Sequence, residues 1–346
     1  MTGYRKLISG ATILFFVMTI FPGCRNGEGA PSLHVITGEA QGSTYAVRYV
    51  SGSGEDLKPA VDSILLAIDM SMSAYRPDSD ISRINAGDST VVVDDNFRNV
   101  FEMSRTIWEA SDGSFDPTIG KLVRAWGFGP DHKRMALDST KVDSLLQYCG
   151  FDKVRLTPEN RIYKDREEIT FDFNSIAQGY TVDVIGDFLR DRGIGDYVVE
   201  VGGELAAHGR NTVQDRNWLI AIDDPLHADG VERSFIAKIK LEDLGMATSG
   251  NYRKTITDTI TGEQYVHTVD PITGYTKKGN VLSVTVLAKT CMEADAYATT
   301  FMVMGLERTK EFLRKKPEIQ AYMLYLDENN TMQKYTTAGF EDVLVD

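Results

Sequence analysis

Asp295 and Thr299 stand four residues apart in a stretch of helical periodicity, so their side chains share one face. A carboxylate and a hydroxyl are hard oxygen ligands. They are too few for a calcium cage but suit magnesium, which keeps waters and takes oxygens from a substrate phosphate. An Asp and a Thr at this spacing also fall on helices by chance. The stretch Asp172-Phe-Asn-Ser175-Ile-Ala-Gln178-Gly179 runs from a strand-like segment into a helix that begins near Ser175. A helix start offers unpaired N–H groups to an anion such as pyrophosphate, and Asp172 is placed to bond a ring or a ribose. The alternative is that Asn174 or Ser175 is simply a cap. His267 precedes the turn Asp270-Pro-Ile-Thr-Gly274. Imidazole titrates near neutrality and serves as acid or base, although a lone histidine also packs. Tyr75 follows a predicted helix end, where an aromatic ring stacks on a planar ligand or closes a core. Asp112-Gly-Ser114-Phe115-Asp116-Pro-Thr-Ile-Gly120 reads as a turn, with Pro117 before a helix running to Trp126. Neither GxxxxGK[ST] nor GxGxxG occurs, so no standard nucleotide fold is supported.

These residues need elements to hold them. Alternation predicts strands over 44–50, 170–173, 197–201, 218–222, 235–241 and 281–287, and a closing hairpin over 321–326 and 332–335. Period-3.6 patterning predicts helices over 57–72, 96–111, 139–148, 176–192, 292–304 and 309–314. Gly193 and the pair Gly202-Gly203 punctuate the middle. The chain is mixed α and β, without a clean linker or an internal repeat.

Composition excludes several classes. Of 346 residues, 42% are hydrophobic and 25% charged, the proportions of a globular core-forming chain. The 37 basic and 50 acidic residues leave a net charge of −13. That rules out nucleic-acid binding by phosphate neutralisation and a polybasic membrane surface. Arg5 and Lys6, the apolar run 11–21 and Pro22-Gly23-Cys24 make a secretory leader with a lipobox-like end. Residues 1–23 are expected to be a signal peptide, Cys24 a lipidated first residue, and 24–37 a polar tether. Cys149 and Cys291 then remain, too few for a disulfide framework. The five histidines are scattered and none has zinc-ligand spacing with another.

The order of the motifs is more telling than any one of them. Gln41-Gly-Ser-Thr-Tyr45, Ser73-Ala-Tyr75 with Asp80-Ile-Ser-Arg-Ile-Asn85, Gly113 to Gly120 with Trp126-Gly-Phe-Gly129, and Asp172 to Asp183 follow one another. Val201-Gly-Gly-Glu204, Ala247-Thr-Ser-Gly250, His267 to Gly274 and Glu293-Ala-Asp295 to Thr299 complete the series. Together they resemble the ApbE family of FAD:protein FMN transferases over roughly residues 38–343. The resemblance implies an α/β (mixed α+β) fold. It would be a single compact catalytic unit over 38–346, of two lobes with the FAD site between them. It implies an Mg²⁺-dependent transfer of FMN from FAD, the substrate, to a threonine hydroxyl of a target flavoprotein, with release of AMP. Asp295 and Thr299 would be magnesium ligands, with Ser175 contributing through its backbone carbonyl. Gln41, Tyr75, Ser114, Phe115, Asp116, Asp172, Gln178 and Val269 would line the FAD site, and His267 would be the base or would orient the target threonine. The family often has Met at the position of Gln41, read as a change in an apolar contact only, and Lys at that of Gln178. Losing that cation leaves more of the pyrophosphate charge to magnesium and to backbone donors. The acceptor would be an exported flavoprotein, such as a subunit of an ion-pumping quinone or ferredoxin oxidoreductase. The enzyme would be held by Cys24 in the bacterial cell envelope, at the inner membrane facing the periplasm. The same site would also serve an Mg²⁺-dependent FAD pyrophosphatase, or a non-catalytic FAD-binding lipoprotein.

Overall fold

The computed structural model describes residues 29–225, 234–250, 255–257, 264–276 and 279–345. The leader and Cys24 lie outside the described residues. The chain opens with a hairpin of β1 (Ser32–Ala40) and β2 (Ser43–Ser51), in register from Ser32↔Ser51 to Ala40↔Ser43. Its two-residue turn, Gln41-Gly42, has φ of 52° and 72°, the signs of a type I′ turn whose twist matches the strands. The tether expected over 24–37 is therefore cut short, because residues 32–37 belong to the sheet. Only Ile36 of β1 is buried, so this edge strand carries little apolar alternation to announce it.

Helix α1 (Lys58–Met72) starts with Pro in its first turn and buries Val61, Leu65, Ile68 and Met72. Next come α2 (Asp80–Asn85), α3 (Asp95–Ala110), α4 (Gly120–Ala125), α5 (Ser139–Leu146) and a small hairpin, β3 (Val154–Leu156) with β4 (Ile162–Lys164). Ser79, Asp94 and Asp138 cap α2, α3 and α5 by accepting from the third N–H onward. Helix α6 (Ala177–Asp191) ends at Gly193, in the left-handed region as expected of a helix stop. The rest is β5 (Tyr197–Val201), β6 (Glu204–His208), β7 (Trp218–Asp223), β8 (Phe235–Leu241), β9 (Leu244–Gly250), β10 (Thr255–Thr257), β11 (Gln264–Val266), β12 (Val281–Ala288), α7 (Cys291–Lys315), β13 (Gln320–Leu326), β14 (Met332–Thr336), α8 (Ala338–Glu341) and β15 (Leu344–Val345). Helix α7 covers both helices predicted over 292–304 and 309–314, and breaks at Gly305, whose φ is 75°.

Eight strands form one sheet in the order β1-β2-β5-β6-β9-β12-β13-β14, with every neighbour antiparallel. Alternation divides its two faces. Val199 points into a core with Val61, Leu65, Val182 and Ile185 of α1 and α6. Val198 points to the opposite side, where Trp218, Ile239 and Leu241 of the sheet β15-β8-β7 cover it. A third core joins α3 and α7 through Phe97, Phe101, Phe171, Phe173 and Phe301. The mixed α/β class expected from the sequence is the one found.

The strand predicted over 170–173 is not a strand. Only Thr170 pairs, in a single bridge with Ile119. Phe171 and Phe173 are apolar because they plug the aromatic core, within 6.4 Å and 5.2 Å of the Phe97 ring. The Asn85 side chain takes the place of a ladder, accepting from Phe171 N–H at 2.7 Å and donating to its carbonyl at 2.9 Å. Helix α6 starts at Ala177, one residue inside the predicted range 176–192 and past the start placed near Ser175. Its cap position is Ile176, with no side-chain cap, and Asn174 and Ser175 sit in the preceding turn. The capping role weighed for those two residues is therefore overturned. Among the described residues no helix is long and apolar enough to cross a membrane.

Candidate active site

The site is organised where α6 meets the first turns of α7. The two helices approach so closely at Gly179 that a Cβ there would lie 2.4 Å from the Cys291 carbonyl oxygen and 2.8 Å from Asp295 Cβ. Only glycine permits that approach. It lets the Gly179 N–H, an unpaired donor of the α6 start, reach Asp295 Oδ2 at 3.1 Å. On the sheet side, a Cβ at Gly245 would lie 2.2 Å from Cys291 N, so α7 is seated against backbone on both sides.

Asp295 is 5% exposed. Burial, and then the negative charge of Glu204, push its carboxyl well above the usual range, against the pull of the Gly179 N–H. Asp183, one turn along α6, accepts from Cys291 N and Met292 N, both at 2.8 Å, and so caps α7. Burial raises its pKa to about 7 in spite of those two bonds. Three carboxyl groups of α6, α7 and β6 thus share one desolvated region, where ionisation is costly without a cation.

Thr299, one turn beyond Asp295, pairs its hydroxyl with Ser249 Oγ of β9 at 3.1 Å. Gln178 lies over Gly202, since a Cβ there would meet Gln178 Nε2 at 2.3 Å and Glu204 Oε2 at 3.1 Å. Gln41 reaches α6 from the β1–β2 turn and donates from Nε2 to Thr181 Oγ1 at 2.7 Å. Gln41, Gln178, Asp295 and Thr299 are therefore tied to one junction.

Tyr75 and Asp172 form a second group. The Tyr75 hydroxyl lies near the Asn174 side chain and Asp172, while the residue stays 53% exposed and its ring is open to stacking. Asp172 accepts from Asn174 N at 2.8 Å and donates its own N–H to the Pro117 carbonyl at 2.7 Å, which fixes the 114–120 turn against 170–175. Ser175 lies within that turn.

Ser114, Phe115 and Asp116 are sunk, at 1%, 2% and 6% exposure. Ser114 Oγ accepts from Arg308 at 3.0 Å, and Asp116 accepts twice from Thr118, at 2.8 Å and 2.6 Å. Burial raises Asp116 to about 6. Their side chains shape the turn from within. Val269 is buried with Leu122, Trp126 and Val142. Asp270 stiffens the following turn by accepting from Ile272 N at 2.9 Å and Thr273 N at 3.3 Å. His267 packs edge-on to Phe128, with centroids 6.4 Å apart.

Sequence reasoning left Asp183, Glu204 and Ser249 out of the site. Asp183 follows Gly179 by four residues, and that spacing places both on the α6 face turned to α7. Glu204 and Ser249 stand in two of the quoted motifs, but their place in the site comes from the register of β5–β6 and β6–β9. Among the described residues no three His, Cys, Asp or Glu side chains are grouped to hold a metal alone. The oxygen donors present suit a cation whose remaining ligands come from water and phosphate.

Comparison with known proteins bears on the family and the fold. The profile of the ApbE family matches residues 41–323. The FAD:protein FMN transferase of Vibrio cholerae is 34% identical over 334 residues, covering 94% of this chain and 96% of that protein. The FAD:protein FMN transferase of Haemophilus influenzae is 30% identical over 347 residues, covering 96% and 97%. Among solved structures, flavin transferase ApbE from V. cholerae superposes with a TM-score of 0.78 at 31% identity, covering 90% of this chain and 99% of that one. By profile, relatives and fold alike, the chain belongs to the ApbE family.

Proposed function

We propose that this protein is a magnesium-dependent FAD:protein FMN transferase. The observation that carries the reading is the buried Asp295 carboxyl, one helical turn from Thr299, in a region crowded with carboxyl groups. Such a carboxyl is unfavourable alone and favourable beside a divalent cation, which would reverse both the desolvation and the repulsion from Glu204. Asp295, Thr299 and the Ser175 carbonyl would hold the ion. When bound, magnesium supplies charge neutralisation on the pyrophosphate oxygens.

The chain's own groups do the rest. Tyr75 stacks on a ring of FAD, and Asp172 and Gln178 bond its polar edges. Ser114, Phe115, Asp116 and Val269 shape the wall behind it. His267 takes the proton of the acceptor threonine as its hydroxyl oxygen attacks the FMN-side phosphorus. A new P–O bond forms, the bond to the bridging oxygen breaks, and AMP leaves with that electron pair. The product is a phosphodiester. The acidic mature chain, its leader removed, would act from a lipidated Cys24 in the cell envelope on exported flavoproteins.

The test incubates the protein with FAD, Mg²⁺ and an acceptor bearing a target threonine, and weighs the acceptor. It should gain one FMN. Free FMN with an unmodified acceptor would point to a pyrophosphatase, and intact FAD to a binding protein. His267→Ala should slow transfer by roughly a hundredfold or more, the range of general-base catalysis, while FAD affinity changes less than about threefold on the arithmetic of binding. An equal fall in affinity and rate would make His267 a binding residue.

A further inference from the structure

The turn that follows His267 is fixed from several sides. Besides the two bonds to the Asp270 carboxylate, Gly274 N donates to the Asp270 carbonyl, and Asp270 N to the Tyr275 carbonyl, both at 2.8 Å. Trp126 Nε1 donates to the Gly274 carbonyl at 2.8 Å. Gly274 stands at a φ of 75°, and a Cβ there would lie 2.6 Å from Val142 Cγ1. Yet this rigid turn holds large apolar side chains in solvent: Ile272 is 53% exposed and Tyr275 42%.

Trp126 joins the turn to a second connector. Its ring lies 6.2 Å from that of Tyr275, and the adjacent Ala125 carbonyl accepts from Met135 N at 2.9 Å. Met135 is itself 50% exposed. Single exposed apolar residues are ordinary, whereas several together with a charged rim mark a contact surface. The rim here is basic. Residues 121–134 carry Lys121, Arg124, Lys133 and Arg134 against the single acidic Asp131, in a chain of net charge −13. Arg124 and Lys133 are exposed, and among the described residues neither enters an ion pair. Phe128 of the same segment meets the His267 ring edge-on, so this surface borders the proposed reaction centre.

We propose that this face docks the acceptor protein. The segment flanking its target threonine sets acidic side chains against Arg124 and Lys133 and an apolar one over Ile272 and Tyr275. Aromatic residues, methionine and arginine are the types that interfaces favour. The charge supplies direction as well as contact. An acidic segment is repelled by the molecule as a whole and attracted to this one face, which steers its threonine toward His267. The inference rests on the transferase reading above and names the surface that reading requires.

The test uses two fluorescent peptides that share a central threonine and flanking leucines. One carries aspartates beside them and the other lysines. Each is titrated into the protein with FAD and Mg²⁺, and peptide and FAD are weighed afterwards. The aspartate peptide should bind about tenfold more tightly, the scale of a few charge pairs at an interface rim. The double variant Arg124→Gln/Lys133→Glu should lose that preference. Ile272→Ser should weaken both peptides about fivefold, the value of one apolar side chain left uncovered. FAD affinity and Tm should stay at the wild-type values in all variants. Equal or undetectable binding of the two peptides would overturn the proposal, as would variants that bind the aspartate peptide like wild type. An equal loss of FAD affinity would also overturn it, because the face would then serve the FAD site. Intact FAD beside an unmodified but tightly bound aspartate peptide would instead sink the proposed function.

Discussion

Asp295→Asn should lose FMN transfer by roughly a thousandfold, about 4 kcal/mol of transition-state stabilisation of the kind a bound metal supplies. The folded chain should be no less stable for it. The amide oxygen can still accept from the Gly179 N–H, now 3.1 Å from the carboxylate. It carries no charge to desolvate and does not repel Glu204, the two effects that push the native carboxyl up. Millimolar Mg²⁺ should raise the Tm of the wild-type protein by mass action and leave that of the variant unmoved. Circular dichroism, thermal melts with and without Mg²⁺, and acceptor mass gain together check this. A variant that keeps a tenth of the wild-type rate, or still answers to Mg²⁺, would remove Asp295 from the metal site.

Stability without metal should fall as pH rises across the mildly acidic range. Asp183 binds its proton more tightly in the folded chain, at about 7, than at the ordinary value of 3.8. A carboxyl shifted this way stabilises the fold while protonated. The contribution is complete below the unfolded value and is lost as pH climbs through the folded one. The shift is roughly three units, or about 4 kcal/mol. Asp116, raised to about 6, acts in the same direction over a narrower window. Asp183→Asn should cost roughly 1 kcal/mol at pH 4, where one of the two capping bonds at α7 is lost. It should also flatten the decline between about pH 4 and pH 7, the window set by the two values above. Denaturant titrations at several pH values read this directly, and parallel pH profiles for the two proteins would refute it.

Much of this architecture was legible from the chain. Strongly periodic segments declared themselves: α1, α3, α6 and both halves of α7 were all foreseen, as were β5 and β8, whose observed bounds are 197–201 and 235–241. The failures share a cause. Phe171 and Phe173 are apolar for a core contact that no local period reports, so the segment passed for a strand. β1 is an edge strand with a single buried residue, so it passed for tether. At the junction of α6 and α7, Gly179 and Asp295 were each visible as residue types, but the bond between them depends on tertiary closure. The net charge of −13 obscured the most chemical feature of all, which is local: carboxyl groups forced together in one desolvated region.

That same bond has a consequence for assembly. Gly179 and Asp295 are 116 residues apart in the chain, and β5 through β12 are laid down between them. Contacts of such long sequence separation form late and cooperatively. A growing polypeptide that has not yet completed the first turns of α7 has a Gln41, a Tyr75 and an Asp172, but no Asp295 to complete the junction. On the function proposed above, competence for chemistry would arrive in one step with the closing helix, and a chain cut short before it would be inert rather than partly active.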